Sequence, residues 1–257
     1  MIIQEMLKVA ETLADIAGEI ARRYFRNNVI TSLKDNKSPV TIADLEIETA
    51  LREYLTRHFS EHGILGEEYG LQTAQSEFLW VLDPIDGTTS FICGKPTFCT
   101  LIGLLKNEKP LLGIIDQPII QDRWVGAVAT STTWNKVACF THPGNSTLRL
   151  SCTSQEMLVT EQQIKKFAVV RKLAAVVSYG GDAYAYGLLA AGYIDIIMES
   201  DLKFYDVAAI IPIIEGAGGC ITNWQGESLT MDNFDGTAIA VSSKELHAKV
   251  LAAINEV

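Results

Sequence analysis

Apolar side chains recur three and four residues apart at Ile3, Leu7, Ala10, Leu13, Ala14, Ala17, Ile20, Ala21 and Tyr24. That spacing lines one face of a helix and predicts a long amphipathic helix at the start of the chain. A polar stretch, residues 34–38, ends at Pro39 and reads as a loop. A second helix is predicted from near Thr41 to His58. Residues 63–65 read as a short strand, followed by the turn residues Gly66, Glu67 and Glu68. Residues 78–82 form a continuous apolar run, which predicts a buried strand ending in a polar turn at Asp83-Pro84. Three further segments, 98–105, 111–116 and 124–129, are separated by polar residues 107–110 and 121–122, and predict an antiparallel meander.

Beyond residue 130 the pattern weakens and polar residues cluster to about residue 144. This predicts a soft boundary between an N-terminal α+β part, 1–140, and a C-terminal α/β part, 141–257, joined in one compact unit. In the second part, 167–170 and 176–177 read as short strands, 183–191 as a helix and 194–198 as a buried strand. Residues 205–215 read as an apolar helix that Pro212 should kink or shorten, broken by Gly216, Gly218 and Gly219. A strand at 238–241 and a helix at 244–255 close the chain. Strands and helices are mixed without strict alternation. The predicted class is a layered α/β (α+β) fold with much antiparallel pairing.

Composition narrows the function classes. At 257 residues, 48% hydrophobic and 20% charged, the chain is globular and can bury a large core. Its net charge of -10 supplies no basic face for a nucleic-acid backbone. There is no polybasic stretch for an anionic membrane, no apolar run long enough to span one, and no signal-peptide pattern in residues 1–25. Five cysteines, an odd number without metal-ligand spacing, read as reduced thiols of a cytoplasmic protein. The four histidines lie in polar surroundings and read as surface residues.

The chemistry is concentrated in Asp83-Pro84-Ile85-Asp86-Gly87-Thr88-Thr89-Ser90-Phe91. Two carboxylates follow a buried strand, with the Ile85 carbonyl between them. Carboxylate and carbonyl oxygens are the donors that hard cations such as magnesium prefer. Gly87 permits close backbone approach, and the amides that follow open a helix, a natural phosphate site. Either aspartate alone would read as a turn residue or a helix cap.

The string resembles the signature of the inositol monophosphatase family of magnesium-dependent, lithium-sensitive phosphatases. Further motifs follow in family order. Gly66-Glu67-Glu68 resembles the family's acidic turn. Ser38-Pro39-Val40-Thr41-Ile42-Ala43-Asp44 resembles its earlier motif, and Tyr205-Asp206-Val207-Ala208-Ala209 with Glu215-Gly216-Ala217-Gly218-Gly219 its C-terminal one. Tyr205 stands where the family usually has tryptophan. The resemblance implies an alternating α-β-α-β-α sandwich, commonly a homodimer. It implies two or three magnesium ions, with manganese as a substitute, held by Glu67, Asp83, the Ile85 carbonyl, Asp86 and Asp206. Asp44, Glu67 and Thr88 would serve the attacking water, and the amides of Gly87 and Thr88 would hold phosphate. The substrate implied is a small soluble phosphomonoester, attacked in line by a metal-activated water.

Three stretches look closer to the histidinol-phosphatase branch: residues 112–118 with 123–126, residues 182–189, and residues 192–206. At the family's leaving-group position this chain has Asp182, and the substrate-contacting glutamate matches Glu199. Two carboxylates suit a cationic alcohol such as histidinol better than neutral inositol. Asp182 also reads as a plain helix cap. Inositol 1-phosphate and a nucleotide 3'-phosphate remain as alternative substrates, and a regulatory protein-interaction role as the alternative of another class.

Overall fold

The computed structural model of the chain describes residues 2–27, 31–33, 39–73, 75–142 and 147–257. The loop expected at 34–38 lies outside them. Helix α1, Ile2–Tyr24, buries Leu13, Ala14, Ala17 and Ile20 along its apolar face. A two-stranded ribbon, β1 (Thr31–Leu33) with β2 (Pro39–Thr41), leads into α2, Ile42–His58. Thr41 starts α2 through a reciprocal cap. Its hydroxyl accepts the Ala43 N–H at 3.2 Å, and the Asp44 carboxylate accepts the Thr41 N–H at 2.9 Å. The buried face of α2 holds Ala43, Ile47, Leu51 and Leu55 together with two acids, Asp44 and Glu48.

Against these helices lies an eight-stranded sheet. Its strands are β3 (Gly63–Gly66), β4 (Gly70–Gln72), β5 (Phe78–Asp86), β6 (Cys99–Lys106), β7 (Lys109–Gln117), β8 (Asp122–Ala127), β9 (Thr133–Trp134) and β10 (Val137–Ala138), with the short helix α3, Thr88–Ile92, after β5. The order is β10-β9-β8-β7-β6-β5-β3-β4. From β5 to β10 each neighbour is antiparallel, the meander read from the sequence, whereas β3 runs parallel to β5. Strand β5 does not stop at Asp83 as expected. It continues through Asp86 with a register shift between those two residues. A bulge accommodates Pro84, which has no N–H to give a ladder.

The second sheet contains β11 (Arg149–Cys152), β12 (Val176–Tyr179), β13 (Ile196–Glu199), β14 (Cys220–Thr222) and β15 (Ala238–Val241), in the order β12-β11-β13-β15-β14. Its helices are α4 (Glu161–Leu173), α5 (Asp182–Ala190), α6 (Phe204–Val207), α7 (Ile210–Gly216) and α8 (Lys244–Asn255). Helices α1 and α2 cover the outer face of the large sheet around Leu13, Ile47, Trp80 and Leu112. Helices α5, α6 and α7 fill the space between the sheets with Leu189, Ile213 and Trp124. Helices α4 and α8 cover the far face of the smaller sheet around Phe167, Ile239 and Ile254. The five layers alternate helix and sheet.

Three expectations need correction. Residues 167–170 lie in α4, not in a strand. The reciprocal cap of Thr160 and Gln163 starts that helix, and its buried residues Phe167 and Val170 are one turn apart. Pro212 does not kink a single helix. It sits in the first turn of α7, where its missing N–H has no helical partner, and the chain breaks before it into α6 and α7. His62 and His247 are half-buried hydrogen-bonding residues, meeting Trp80 Nε1 at 3.1 Å and Thr222 Oγ1 at 2.7 Å.

A row of glycines brings the middle layer onto the large sheet. Gly103, Gly113 and Gly126 are cross-strand partners on β6, β7 and β8. A Cβ on Gly113 would stand 1.9 Å from the Ala209 carbonyl oxygen, and one on Gly126 would stand 2.6 Å from the Ile213 Cα. Backbone therefore packs on backbone, and α6 is carried to the end of β5.

Candidate active site

Residues three apart on a regular strand point to opposite faces. The bulge in β5 changes this for Asp83 and Asp86. The register steps from Asp83 opposite Leu101 to Asp86 opposite Cys99. The Pro84 carbonyl between them accepts the Thr100 hydroxyl at 2.8 Å. Both carboxylates then face α6, where the Lys203 N–H donates to Asp206 Oδ2 at 2.7 Å. One carboxylate oxygen from each of Asp83, Asp86 and Asp206 lies within 4.8 Å of the others, a group able to hold a metal ion.

The electrostatics of this group are those of carboxylates crowded together in a buried place. Asp83 is 1% exposed, and its Oδ1 is buried without a hydrogen-bond partner. Burial first, and then the charges of Glu67, Asp86 and Asp206, push its carboxyl well above the ordinary aspartate range. Burial, Asp182 and Asp206 do the same to Asp86. Asp206 is pushed up to about 7, mainly by burial, against the Lys203 N–H that favours its ionised form. The donors are all oxygen, the set that suits magnesium or calcium rather than a soft metal.

The remaining predicted residues surround this group. Glu67, on the turn between β3 and β4, lies outside the 4.8 Å group but close enough to raise both Asp83 and Asp44. Asp44, fully buried at the start of α2, accepts the Thr41 hydroxyl at 2.5 Å, and burial raises its carboxyl to about 6. The Thr88 hydroxyl donates to the Ile85 carbonyl at 3.2 Å and stands 3.5 Å from Asp44 Oδ1. It thus links β5 to α2. The Ile85 side chain is fully buried and anchors its carbonyl. Gly87 has φ of +82° and caps α3, opening the amides that follow.

From the other side, α5 presents Asp182. This residue takes the left-handed conformation, φ +46°, which is unusual outside glycine. The cap of α5 is Gly181, not Asp182. The Asp182 carboxylate accepts the Thr97 hydroxyl at 2.8 Å, and a Cβ on Gly87 would meet its Cγ at 2.6 Å. The next residue, Ala183, donates its N–H to Asp86 Oδ2 at 2.5 Å. Glu199 is 3% exposed at the end of β13. It accepts the Thr153 N–H and the Tyr186 hydroxyl, both at 2.8 Å. Thr97 and Thr153 escaped the sequence reading, and Tyr186, although it lies in the stretch 182–189, was not read as a partner of Glu199, because nothing in their spacing links them to partners far along the chain.

Among the described residues no helix is long and apolar enough to cross a membrane. A model of the inositol monophosphatase family matches residues 2–257. The chain is 41% identical over 256 residues to the chloroplastic bifunctional phosphatase IMPL2 of Arabidopsis thaliana, covering 96% of this chain and 74% of that protein. It is 31% identical to a histidinol-phosphatase of Mycobacterium tuberculosis, with 97% of each chain covered. Among solved structures, an inositol monophosphatase from Zymomonas mobilis superposes with a TM-score of 0.87 at 38% identity, covering 98% of both chains. With a family match along nearly its whole length and an acidic, cation-ready site at the junction of its layers, the chain belongs to the inositol monophosphatase family, a metal-dependent class of phosphoric monoester hydrolases.

Proposed function

We propose that the protein is a magnesium-dependent phosphatase whose preferred substrate is L-histidinol phosphate. The observation that carries the metal reading is the buried, unpartnered Asp83 oxygen inside an all-oxygen group. Asp83, Asp86, Asp206, Glu67 and the Ile85 carbonyl hold two or three magnesium ions, with manganese as a substitute. When bound, the ions offset charge on the phosphoryl oxygens and lower the pKa of a water. Asp44 and Thr88 would orient that water for in-line attack, with the Asp44 carboxylate as the group able to accept its proton. The amides of Gly87 and Thr88 hold phosphate oxygens at the start of α3. The ligands come from both 1–140 and 141–257, which supports reading the two parts as one working unit. The five free thiols support a reducing compartment.

The substrate reading rests on charge. Asp182 and Glu199 stand beside the metal group, and both add to the charges that raise its members. Metal ions offset the central carboxylates, and a cationic alcohol with an ammonium and an imidazole complements the rest. Relatives from Mycobacterium tuberculosis and Chlorobaculum parvum carry the name histidinol-phosphatase. A second reading, inositol 1-phosphate, draws on the Zymomonas mobilis structure, named as an inositol monophosphatase. The test is phosphate release, with and without magnesium, on L-histidinol phosphate, inositol 1-phosphate and adenosine 3',5'-bisphosphate side by side. A preference for histidinol phosphate above about tenfold in kcat/KM, about 1.4 kcal/mol, supports the proposal. Preference for another ester, or an unchanged ratio in D182A, removes the role given to Asp182. No turnover of any ester by folded, metal-supplied protein would bring a partner-binding role forward.

A further inference from the structure

Glu48 is fully buried, one helical turn beyond Asp44 on α2, and stands outside the metal group. Its carboxylate is aimed at the turn between β3 and β4. Oε2 accepts the Glu68 N–H at 2.7 Å, and Oε1 accepts the Tyr69 N–H at 3.1 Å. Arg52, one turn further along α2, donates to Glu48 Oε1 at 2.7 Å and also to the Gly70 carbonyl. On the other side, the Glu67 N–H donates to the Leu82 carbonyl at 3.1 Å. The N–H groups of Glu67, Glu68 and Tyr69 are thereby all held. The carboxylate presses against the backbone itself, for a Cβ on Gly66 would stand 2.0 Å from Glu48 Oε1.

A buried carboxylate is costly unless paired and hydrogen-bonded. Glu48 shares the buried face of α2 with Asp44 and with Ala43, Ile47, Leu51 and Leu55, and packing alone would select an apolar side chain there. We propose that Glu48 is a positioning residue that holds the backbone after Glu67, and so aims the Glu67 carboxylate into the metal site. This rests on the reading of Glu67 as a metal ligand. The physical logic is that of an anion in a nest of converging amides. An ionised acceptor makes the strong, charge-assisted form of these bonds. Glutamine cannot replace it, because its NH2 end would face an N–H donor. Arg52 supplies the counter-charge and closes the bracket at Gly70.

The experiment compares wild type, E48Q and E67Q. Each is followed by magnesium activation of phosphate release, by manganese binding in calorimetry, and by thermal melting. E48Q is expected to raise the magnesium activation constant and the manganese Kd by about tenfold or more, as loss of a ligand-orienting partner does, with kcat near wild type at saturating metal. A lower melting temperature with unchanged metal constants would show that Glu48 only stabilises the fold, and overturns the proposal. If E67Q leaves metal binding unchanged, the role of Glu67 fails and the proposal falls with it. If E67Q weakens binding and E48Q does not, only the proposal fails. Should E48Q not fold, R52Q is measured in the same way. Raised metal constants in R52Q support the bracket, and unchanged ones overturn it.

Discussion

Replacing Asp83 by asparagine should make the metal-free protein more stable while removing metal-dependent activity. Asp83 is 1% exposed, one of its oxygens has no partner, and Glu67, Asp86 and Asp206 all oppose its charge. Burial and the neighbouring charges hold its folded-state pKa well above the ordinary aspartate range. A raised acid pKa means that the folded state holds a proton which the unfolded chain releases. Stability is therefore lost as pH rises from the unfolded value through the folded one. Asparagine removes that loss, and its amide can donate to the neighbouring acids. Relieving a buried, unpaired polar group is worth about 2–4 kcal/mol. For 257 residues the unfolding entropy gives about 2 °C per kcal/mol, so D83N should melt about 4–8 °C above wild type near pH 8 in chelator. Magnesium should reverse the order, because only the intact site gains stability by mass action. The assay is calorimetric melting with chelator or with magnesium, at about pH 8 and about pH 5, alongside phosphate release. Metal-free D83N melting at or below wild type near pH 8 would show that the Asp83 charge is not destabilising, and retained magnesium-stimulated turnover would show that Asp83 is not a metal ligand.

Three further outcomes follow from the same geometry. Gly113→Ala places a Cβ 1.9 Å from the Ala209 carbonyl oxygen, so urea unfolding should show a loss of about 3 kcal/mol or more. Thr97→Val keeps the shape but removes the donor to Asp182. It should shift the kcat/KM ratio between histidinol phosphate and inositol phosphate by several-fold, on the order of 1 kcal/mol, while leaving the magnesium activation constant in place. Asp206, raised to about 7, is protonated below that pH. Protons then compete with the metal, so magnesium affinity measured by activation should fall as pH drops below about 7, by up to about tenfold per unit for one proton displaced. A flat profile across that window would contradict the assignment of Asp206 as a ligand.

Much of the site was legible because its signals are local. The string 83–88 carries two acids, a carbonyl, a permissive glycine and a helix start within six consecutive residues. Thr41 and Asp44 announce the start of α2 through a cap confined to one turn. Helix α8 occupies the span its pattern predicted, Lys244–Asn255. The errors came where a local pattern admitted two answers. A four-residue apolar run such as 167–170 fits a strand or one turn of helix, and only the cap at Thr160 separates them. The extension of β5 past Pro84 could not be seen, because a bulge depends on the partner strand β6.

The order of residues alone sets the chemistry on offer: which acids exist, which lie next to a helix start, and which helix faces are apolar. Hydrophobic period and capping act over one or two turns, and so can be read from neighbours in the chain. Which of those acids meet is settled by how the layers pack. Asp206 reaches Asp83 and Asp86 because glycines on three adjacent strands let α7 lie backbone to backbone on the sheet. Asp182 reaches Gly87, and Glu48 reaches the turn after Glu67, because helices from different layers converge on the ends of β3 and β5. Coulomb interaction and desolvation act through space, so the raised pKa values that mark this site arise only once the layers are stacked.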